Sequence, residues 1–103
     1  MKKNAKLRFQ VKSKMMPVVE IDTAAQAVYV YFQRGVRVAK TVVQNQWPLV
    51  AVDLDKHGEV IGVEACGVGE FTVRPILEQA RVEAPRSILN SARYLPTPAL
   101  AVA

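Results

Sequence analysis

The first two thirds of the chain alternate between apolar and polar positions, as β-strands do. The apolar positions are rich in Val, Ile, Tyr and Phe, which favour a pleated sheet over a helix. Five segments carry this pattern: residues 18–22, 28–32, 36–43, 49–55 and 59–65. They predict an antiparallel meander sheet of about five strands, in which each strand pairs with the next along the chain.

A glycine marks the connection between the second and third predicted strands. With residues 33–35 as a three-residue loop and Gly35 at positive φ, Phe32 lies opposite Val36. A two-residue loop places Phe32 opposite Arg37 instead. The apolar pattern therefore favours the longer loop.

A second glycine marks the hairpin between the fourth and fifth predicted strands. A type I turn over residues 55–58, with Gly58 as its left-handed residue, pairs Val50 with Glu64. Glu64 then shares a face with Val50 and Val52, where an ionised carboxylate is costly unless it is hydrogen-bonded. Glu64 is therefore a candidate for a ligand pocket or a pH-sensitive interface. The alternative is that it lies near the strand end and reaches water.

From Thr72 onward the apolar period lengthens from two to about three and a half, which indicates helices. The first predicted helix has one apolar face: Val73, Ile76, Leu77 and Ala80. The second begins at Pro85 and has another: Ile88, Leu89, Ala92 and Leu95. We expect two short C-terminal helices packed on one face of the sheet, which makes the fold α+β.

The chain has the length and composition of one globular domain. It has 103 residues, of which 50% are hydrophobic and 22% are charged, and a chain of this size buries one core. The sequence predicts a basic N-terminal extension over 1–16, a single α+β domain over 17–95 and a C-terminal tail over 96–103. It contains no apolar run of the ~18 residues that a membrane helix needs and no signal-peptide pattern, so we expect a cytoplasmic protein.

Positive charge is concentrated before Met16. The chain carries 14 Lys and Arg against 9 Asp and Glu, a formal net charge of +5. Six cations precede Met16, where no acid occurs: Lys2, Lys3, Lys6, Arg8, Lys12 and Lys14. Such a segment is a candidate nucleic-acid contact. The alternative is a solvated end that includes an edge strand, since Leu7, Phe9 and Val11 alternate with polar residues.

The residue types that carry most enzyme chemistry are scarce. The chain has one cysteine, Cys66, and one histidine, His57, which excludes an intrachain disulfide framework and argues against a zinc site. Asp53, Asp55 and Glu59 cluster around a glycine turn, as acids do in ordinary turns. His57 is expected at the opposite end of the hairpin from Cys66, so no nucleophile and base come together. The sequence predicts no catalytic residue, no metal and no cofactor.

Aromatic residues are a further group of candidates. Tyr29 and Tyr31 share one face of their strand, and Trp47 precedes Pro48 in a loop. For the two strand tyrosines a core or a subunit interface is the favoured role and stacking on single-stranded nucleic-acid bases the alternative, while the loop tryptophan is expected to pack over the sheet edge or, as the alternative, to anchor a partner. With Glu64, they are the candidate ligand or interface residues.

Two short helices can cover one face of the sheet but hardly both. The second face is therefore expected to expose an apolar patch. Its predicted members are Tyr29, Tyr31, Ala51, Ile61 and Val63. A symmetric homodimer that buries this patch, by sheet-on-sheet packing or by edge pairing, is the expected solution.

Two segments of the chain resemble a known family. They are VEIDTAAQAVYVYF (residues 19–32) and VAVDLDKHGEVIGVEAC (residues 50–66). The family pattern has a tyrosine-containing strand, acids before a glycine turn, and then Gly, an aliphatic residue and Glu. These places are filled here by Tyr29, Asp53, Asp55, Gly58, Gly62, Val63 and Glu64. On these residues the chain is similar to the small bacterial family called domain-of-unknown-function family 2283. The continuation FTVRPILEQARVEAP (residues 71–85) looks like the longer members. The resemblance implies no activity and no catalytic residue.

Two functions follow from the sequence as hypotheses. The first is a non-enzymatic cytoplasmic protein that acts as a self-associating binding or interaction module, as a homodimer or with another protein as partner. The alternative is a nucleic-acid-associated regulatory or antitoxin-like protein that uses the basic N-terminal segment.

Overall fold

The structure is a computed structural model, and it describes residues 7–67, 73–90 and 93–96. In chain order the elements are β1 (Phe9–Gln10), β2 (Val18–Asp22), β3 (Ala27–Tyr31), β4 (Lys40–Gln46), β5 (Leu49–Leu54), β6 (Val60–Cys66), α1 (Val73–Ala80), β7 (Val82–Glu83), α2 (Arg86–Asn90) and β8 (Arg93–Pro96). Lys2, Lys3, Lys6, Ala92 and the predicted tail from Thr97 onward lie outside the described residues. None of the described helices is long and apolar enough to cross a membrane.

The predicted α+β fold is confirmed. Five strands form an antiparallel sheet in the order β4-β5-β6-β3-β2, and β8 adds a parallel strand at the β2 edge. α1 packs on β4, β5 and β6, and Leu89 of α2 packs against the same hydrophobic cluster. β1 and β7 form a separate two-stranded parallel sheet. The helices therefore lie on one face of the large sheet.

The order of the strands differs from a simple meander, because β3 pairs with β6 and not with β4. Tyr29 lies opposite Glu64, and the Phe32 N–H donates to the Ile61 carbonyl at 2.7 Å. The predicted hairpin that places Phe32 opposite Val36 is therefore wrong. β6 is buried along most of its length and offers β3 an apolar neighbour, whereas Val36 lies in an exposed segment before β4.

The turn between β5 and β6 forms as predicted. The Gly58 N–H donates to the Asp55 carbonyl at 2.9 Å, and Gly58 has a φ of 82°. Asp55 Oδ1 also accepts from the backbone N–H groups of Glu59 at 2.9 Å and His57 at 2.8 Å. These hydrogen bonds, led by that of Glu59, lower the pKa of the Asp55 carboxyl. Asp55 therefore stabilises the turn.

A β-bulge after this turn shifts the β5–β6 register by one residue from the prediction. Leu54 pairs with Val60, but Asp53 pairs with Gly62, so Ile61 is an extra residue in β6. Beyond the bulge, every β6 residue faces opposite to the side predicted for it.

The shift moves Glu64 and Val63 to new faces. Val50 lies opposite Ala65, so the predicted pairing of Val50 with Glu64 is wrong. Val63, predicted for the second face, belongs to the core and has no exposed surface. Glu64 is consequently on the second face. The bulge is favoured because it buries an aliphatic side chain where the predicted register buries a carboxylate.

One hydrophobic cluster joins the sheet to the helices. Its central members on the sheet side are Val19, Val28, Val30, Val50, Val52, Val63 and Ala65, with Phe32 just after β3, and its α1 members are Val73, Ile76, Leu77 and Ala80. The apolar face predicted for the first helix is thus confirmed. Burying one large aliphatic or aromatic side chain contributes about 1.5–3 kcal/mol.

The second helix is shorter than the sequence pattern predicts. α2 ends at Asn90, and Leu95 lies in β8 opposite Glu20 of β2. The prediction that Leu95 continues the helical face is therefore wrong. A residue that precedes proline disfavours the helical region, and Leu95 precedes Pro96. The edge of β2 offers this extended segment a strand to pair with.

Part of the basic segment belongs to the folded body. The Phe9 N–H donates to the Arg81 carbonyl at 2.9 Å, and the Val11 N–H donates to the Glu83 carbonyl at 2.8 Å. Val11 is 7% exposed and belongs to the hydrophobic cluster. The strand predicted from the alternation of this segment is therefore confirmed over Phe9–Gln10.

Candidate binding face of the sheet

The face of the sheet turned away from the helices carries the candidate chemistry. Its residues alternate along the strands with core residues such as Val19, Val30 and Val52. We call it the tyrosine face, and its members include Val18, Glu20, Tyr29, Tyr31, Thr41, Val43, Leu49, Ala51, Asp53, Gly62, Glu64 and Cys66. It brings together Tyr29, Tyr31 and Glu64, three of the four candidate interface residues predicted from the sequence.

Asp53 organises the centre of the tyrosine face. The Tyr29 hydroxyl donates to Asp53 Oδ2 at 2.7 Å, and the Thr41 hydroxyl donates to Asp53 Oδ1 at 2.6 Å. Burial raises the pKa of Tyr29 far above its ordinary value, and the hydrogen bond to Asp53 and the Asp53 charge raise it further. Tyr29 is therefore a protonated, fixed hydrogen-bond donor at neutral pH.

The raised pKa of Tyr29 predicts a loss of stability in alkali. The native state holds the phenol proton more tightly than the unfolded chain does. This stabilisation is complete below the ordinary tyrosine pKa of about 10 and is lost as the pH rises above it. In a spectrophotometric titration, we expect the Tyr29 hydroxyl to lose its proton at a lower pH in the Asp53→Asn variant than in the wild type. Tyr29→Phe identifies this deprotonation by removing it.

Asp22→Asn is the matched control for this titration. Asp22 is a turn carboxylate whose Oδ1 accepts from the Ala25 N–H at 3.1 Å. This change should leave the tyrosine curve as it is in the wild type. If Asp53→Asn also leaves the curve unmoved, the hydrogen bond between Tyr29 and Asp53 does not control the titration.

Gly62 makes room for the ring of Tyr29. A Cβ at position 62 would overlap the Tyr29 ring and lie 2.5 Å from the Val30 carbonyl oxygen. An aromatic ring over a strand glycine restores packing that the glycine itself lacks. The ring therefore lies over β6, and its hydroxyl forms a hydrogen bond with Asp53.

A second tyrosine brings a cation onto the face. The ring centroids of Tyr29 and Tyr31 are 4.3 Å apart, and the ring planes are tilted by 46°. Arg34 Cζ lies 4.6 Å from the Tyr31 centroid, and Arg34 Nη2 lies 4.0 Å from Glu20 Oε2. Burial raises the pKa of Tyr31, and Glu20 raises it further while Arg34 lowers it. The face therefore already holds one guanidinium against a ring and a carboxylate.

Glu64 and Cys66 lie side by side on β6. Glu64 is opposite Tyr29 of β3 and opposite Ala51 of β5. The half-buried Cys66 thiol is a weak donor to Glu64 Oε2 at 3.7 Å. Burial raises the pKa of Cys66, and the Glu64 carboxylate raises it further. The thiol therefore stays protonated and weakly nucleophilic at neutral pH.

The remaining titratable candidates do not form a second site. His57 is exposed at the tip of the β5–β6 turn, where its backbone N–H donates to Asp55 Oδ1. Asp53 is engaged on the tyrosine face, so Asp53 and Asp55 have separate partners. Within the described ranges, no group of three His, Cys, Asp or Glu side chains is placed to bind a metal.

Trp47 lies at the end of the sheet, in the turn that joins β4 to β5. It is 83% exposed, and its peptide bond to Pro48 is cis. Val43 of β4 is 51% exposed. Because β4 is an outer strand of the sheet, these residues form an exposed apolar border along that edge. Trp47 is thus at the margin of the sheet, while the other three candidate residues lie near its centre.

The described cations of the basic segment are exposed and lie among acids. Arg8 is 3.9 Å from Glu83, and Lys12 is 4.0 Å from Glu59. Exposed pairs of this kind contribute little to stability. Lys14 is exposed as well. Nucleic-acid binding through this segment stays a prediction.

Sequence reasoning missed several members or neighbours of this face, among them Glu20, Asp53 and Arg34. Alternation could have found Glu20, which lies between Val19 and Ile21, and Asp53, whose strand neighbours are buried. Arg34 follows β3 in a loop, where hydrophobic periodicity gives no signal.

No model of a protein family, no curated protein and no solved structure matches this chain. The resemblance to domain-of-unknown-function family 2283 therefore stays a prediction.

Proposed function

We propose that this chain is a cytoplasmic, non-enzymatic binding module that self-associates along β4 and offers its tyrosine face to a partner. The observation that supports the proposal is that the side chains of this face are already held in place. The face lies opposite the helix layer, and Asp53 and Gly62 already fix the hydroxyl and the ring of Tyr29. Groups that are ordered before binding lose little entropy when a partner arrives.

The groups on the tyrosine face suit recognition better than catalysis. General-base and nucleophilic chemistry works best with a pKa near the operating pH. The pKa of Tyr29 and the pKa of Cys66 are both raised away from neutrality. Tyr29 and Asp53 also use each other as hydrogen-bond partners. These features support a surface that binds without reacting.

The β4 edge is the better surface for a second copy. Among the described strands, β4 pairs only with β5, and an edge strand presents backbone groups that another strand can satisfy. Val43 and Trp47 add exposed apolar area there. Antiparallel pairing of two β4 strands about a two-fold axis closes the dimer. It also brings Trp47 of one copy toward the exposed Val38 of the other.

The charge on the tyrosine face disfavours the alternative, sheet-on-sheet dimer. Glu20, Asp53 and Glu64 place carboxylates on this face, and Arg34 contacts one of them, Glu20. A symmetric face-to-face dimer opposes these carboxylates with their own copies, and like charges across an interface repel. Edge pairing avoids this repulsion and leaves the face open.

Light scattering tests the self-association. At tens of micromolar, we expect the mass of two chains for the wild type and of one chain for Val43→Lys, because a charge on an edge strand opposes pairing. Met16→Lys is the control, since Met16 is an exposed hydrophobic residue near β2 and this variant should stay dimeric. Trp47 is the only tryptophan, and its emission should shift to shorter wavelength as the wild type associates. A wild-type mass of one chain contradicts the proposal.

A further inference from the structure

We propose that the tyrosine face binds an arginine side chain carried by an exposed segment of another protein. The inference rests on the proposed function and names the chemistry of its partner. The binding position is formed by the ring of Tyr29 and the carboxylate of Glu64.

The chain itself shows that this face accepts a guanidinium. Arg34 places Cζ 4.6 Å from the Tyr31 centroid and Nη2 4.0 Å from Glu20 Oε2. A planar cation over an electron-rich ring, with a carboxylate at its edge, is a favourable arrangement for arginine. Arg34 lies three residues after the end of β3, so the short connection from that strand brings it to Tyr31 and Glu20.

The same pair of groups occurs a second time on the neighbouring strands. Tyr29 and Glu64 lie directly opposite each other on β3 and β6. Cross-strand partners have side chains close enough to act on one ligand. Within the described residues Glu64 makes no ion pair, and its contact is the weak thiol donor of Cys66 at 3.7 Å. Tyr29 and Glu64 therefore present an aromatic ring and a carboxylate to a cation from outside.

The neighbours of this pair favour a flat ligand. Ala51 lies opposite Glu64, and Gly62 lies beneath the Tyr29 ring, so the neighbouring side chains are small. Arginine is more suitable than lysine because its guanidinium is planar, is weakly hydrated and donates two parallel hydrogen bonds to a carboxylate. Asp53 adds negative charge one strand away from Glu64.

Charge complementarity decides between the occupants. A second copy that stacks face to face brings carboxylates to carboxylates, and the β4 edge offers that copy a better surface. An arginine-bearing segment instead meets Glu64, Asp53 and Glu20 with opposite charge. The basic segment of the chain itself carries mostly lysine, including Lys2, Lys3 and Lys6, and is the competing occupant.

Isothermal titration of the full chain with a short peptide tests the inference. The probe is the capped peptide Gly-Arg-Gly-Arg-Gly, and its matched forms carry citrulline or lysine in place of arginine. We expect binding of the arginine form, weaker binding of the lysine form and none of the citrulline form, which keeps the shape but lacks the charge. Equal binding of the arginine and citrulline forms would overturn the inference.

Three variants make the test specific to the position. Glu64→Gln should weaken binding of the arginine peptide about tenfold, as the loss of one charged hydrogen-bond partner does. Glu78→Gln, on the exposed side of α1, should leave it unchanged. Arg34→Gln should tighten binding about threefold, because it releases Tyr31 and Glu20 as a second position of the same kind. Equal affinities of the Glu64 and Glu78 variants would refute the assigned position.

Three further outcomes separate this inference from the proposed function. If the wild type binds no peptide but the triple variant Lys2→Gln, Lys3→Gln, Lys6→Gln does, the basic segment of the chain occupies the face and the external partner is ruled out. If neither protein binds, while light scattering still shows a dimer that Val43→Lys breaks, the arginine site is wrong and self-association stands. If binding and the dimer are both absent, the proposed function fails as well.

Discussion

Replacing Gly62 with alanine is expected to destabilise the protein by about 3 kcal/mol, the upper range for overpacking. A Cβ at this position meets the ring of Tyr29 and lies 2.5 Å from the Val30 carbonyl oxygen. The ring can move, but the carbonyl belongs to the central strand β3 and cannot. In a thermal melt we expect the midpoint to fall by roughly 10–20 °C for a domain of this size.

Gly35→Ala is the control for this substitution. Gly35 has nothing within 4 Å of an added Cβ, and its φ of 74° makes a side chain only locally strained. We expect a loss of about 1 kcal/mol, the usual cost of the left-handed region for a residue with a Cβ. In a double-mutant cycle, Tyr29→Ala should relieve part of the Gly62→Ala penalty, because one of the two overlaps disappears. Equal losses for the two glycine variants would mean that neither the Tyr29 ring nor the Val30 carbonyl crowds position 62.

Replacing Gln44 with leucine is expected to cost about 2 kcal/mol. Gln44 is 5% exposed and occupies a bulge in β4, which turns its amide toward the helix layer. Its Nε2 donates to the Leu7 carbonyl at 2.6 Å and to the Ala80 carbonyl at 2.9 Å. Leucine has a similar shape but no donor. The buried carbonyl at the end of α1 then loses its partner, which costs roughly 1–3 kcal/mol.

Urea unfolding measures this effect, with Gln46→Leu as the control. Gln46 is an exposed residue of the same strand, and its replacement should change the free energy of unfolding by less than about 0.5 kcal/mol. Gln44→Leu should also release residues near Leu7, which amide exchange can detect. Comparable stabilities of the two variants would show that Gln44 does not join the basic segment to the helix layer.

The position of most elements could be predicted from the sequence, because local periodicity determines it. The alternation of Val28, Val30 and Phe32 indicates β3, and Val73 and Ile76 indicate the buried side of α1. Periodicity does not show which strands lie next to each other in the sheet. β3 pairs with β6 because burial along β6 outweighs the short connection to β4, and that comparison involves the whole sheet.

The candidate site could be predicted only in part for a related reason. Tyr29 and Tyr31 alternate with core residues, so their common face is visible in the sequence. Glu64 was predicted on the wrong side because one bulged residue, Ile61, reverses the faces of the rest of β6. The bulge forms because it buries Val63 instead of Glu64 on the helix side of the sheet. The residues of the turn at Gly58 give no sign of that difference.

The register of β5 against β6 decides which side chains share the tyrosine face, and nuclear Overhauser contacts between backbone protons can measure it. The structure predicts cross-strand contacts between Val52 and Val63 and between Ala51 and Glu64. Contacts between Val50 and Glu64 would instead place the Glu64 carboxylate on the helix side. That result would contradict both the open acidic face and the binding position built on Tyr29 and Glu64.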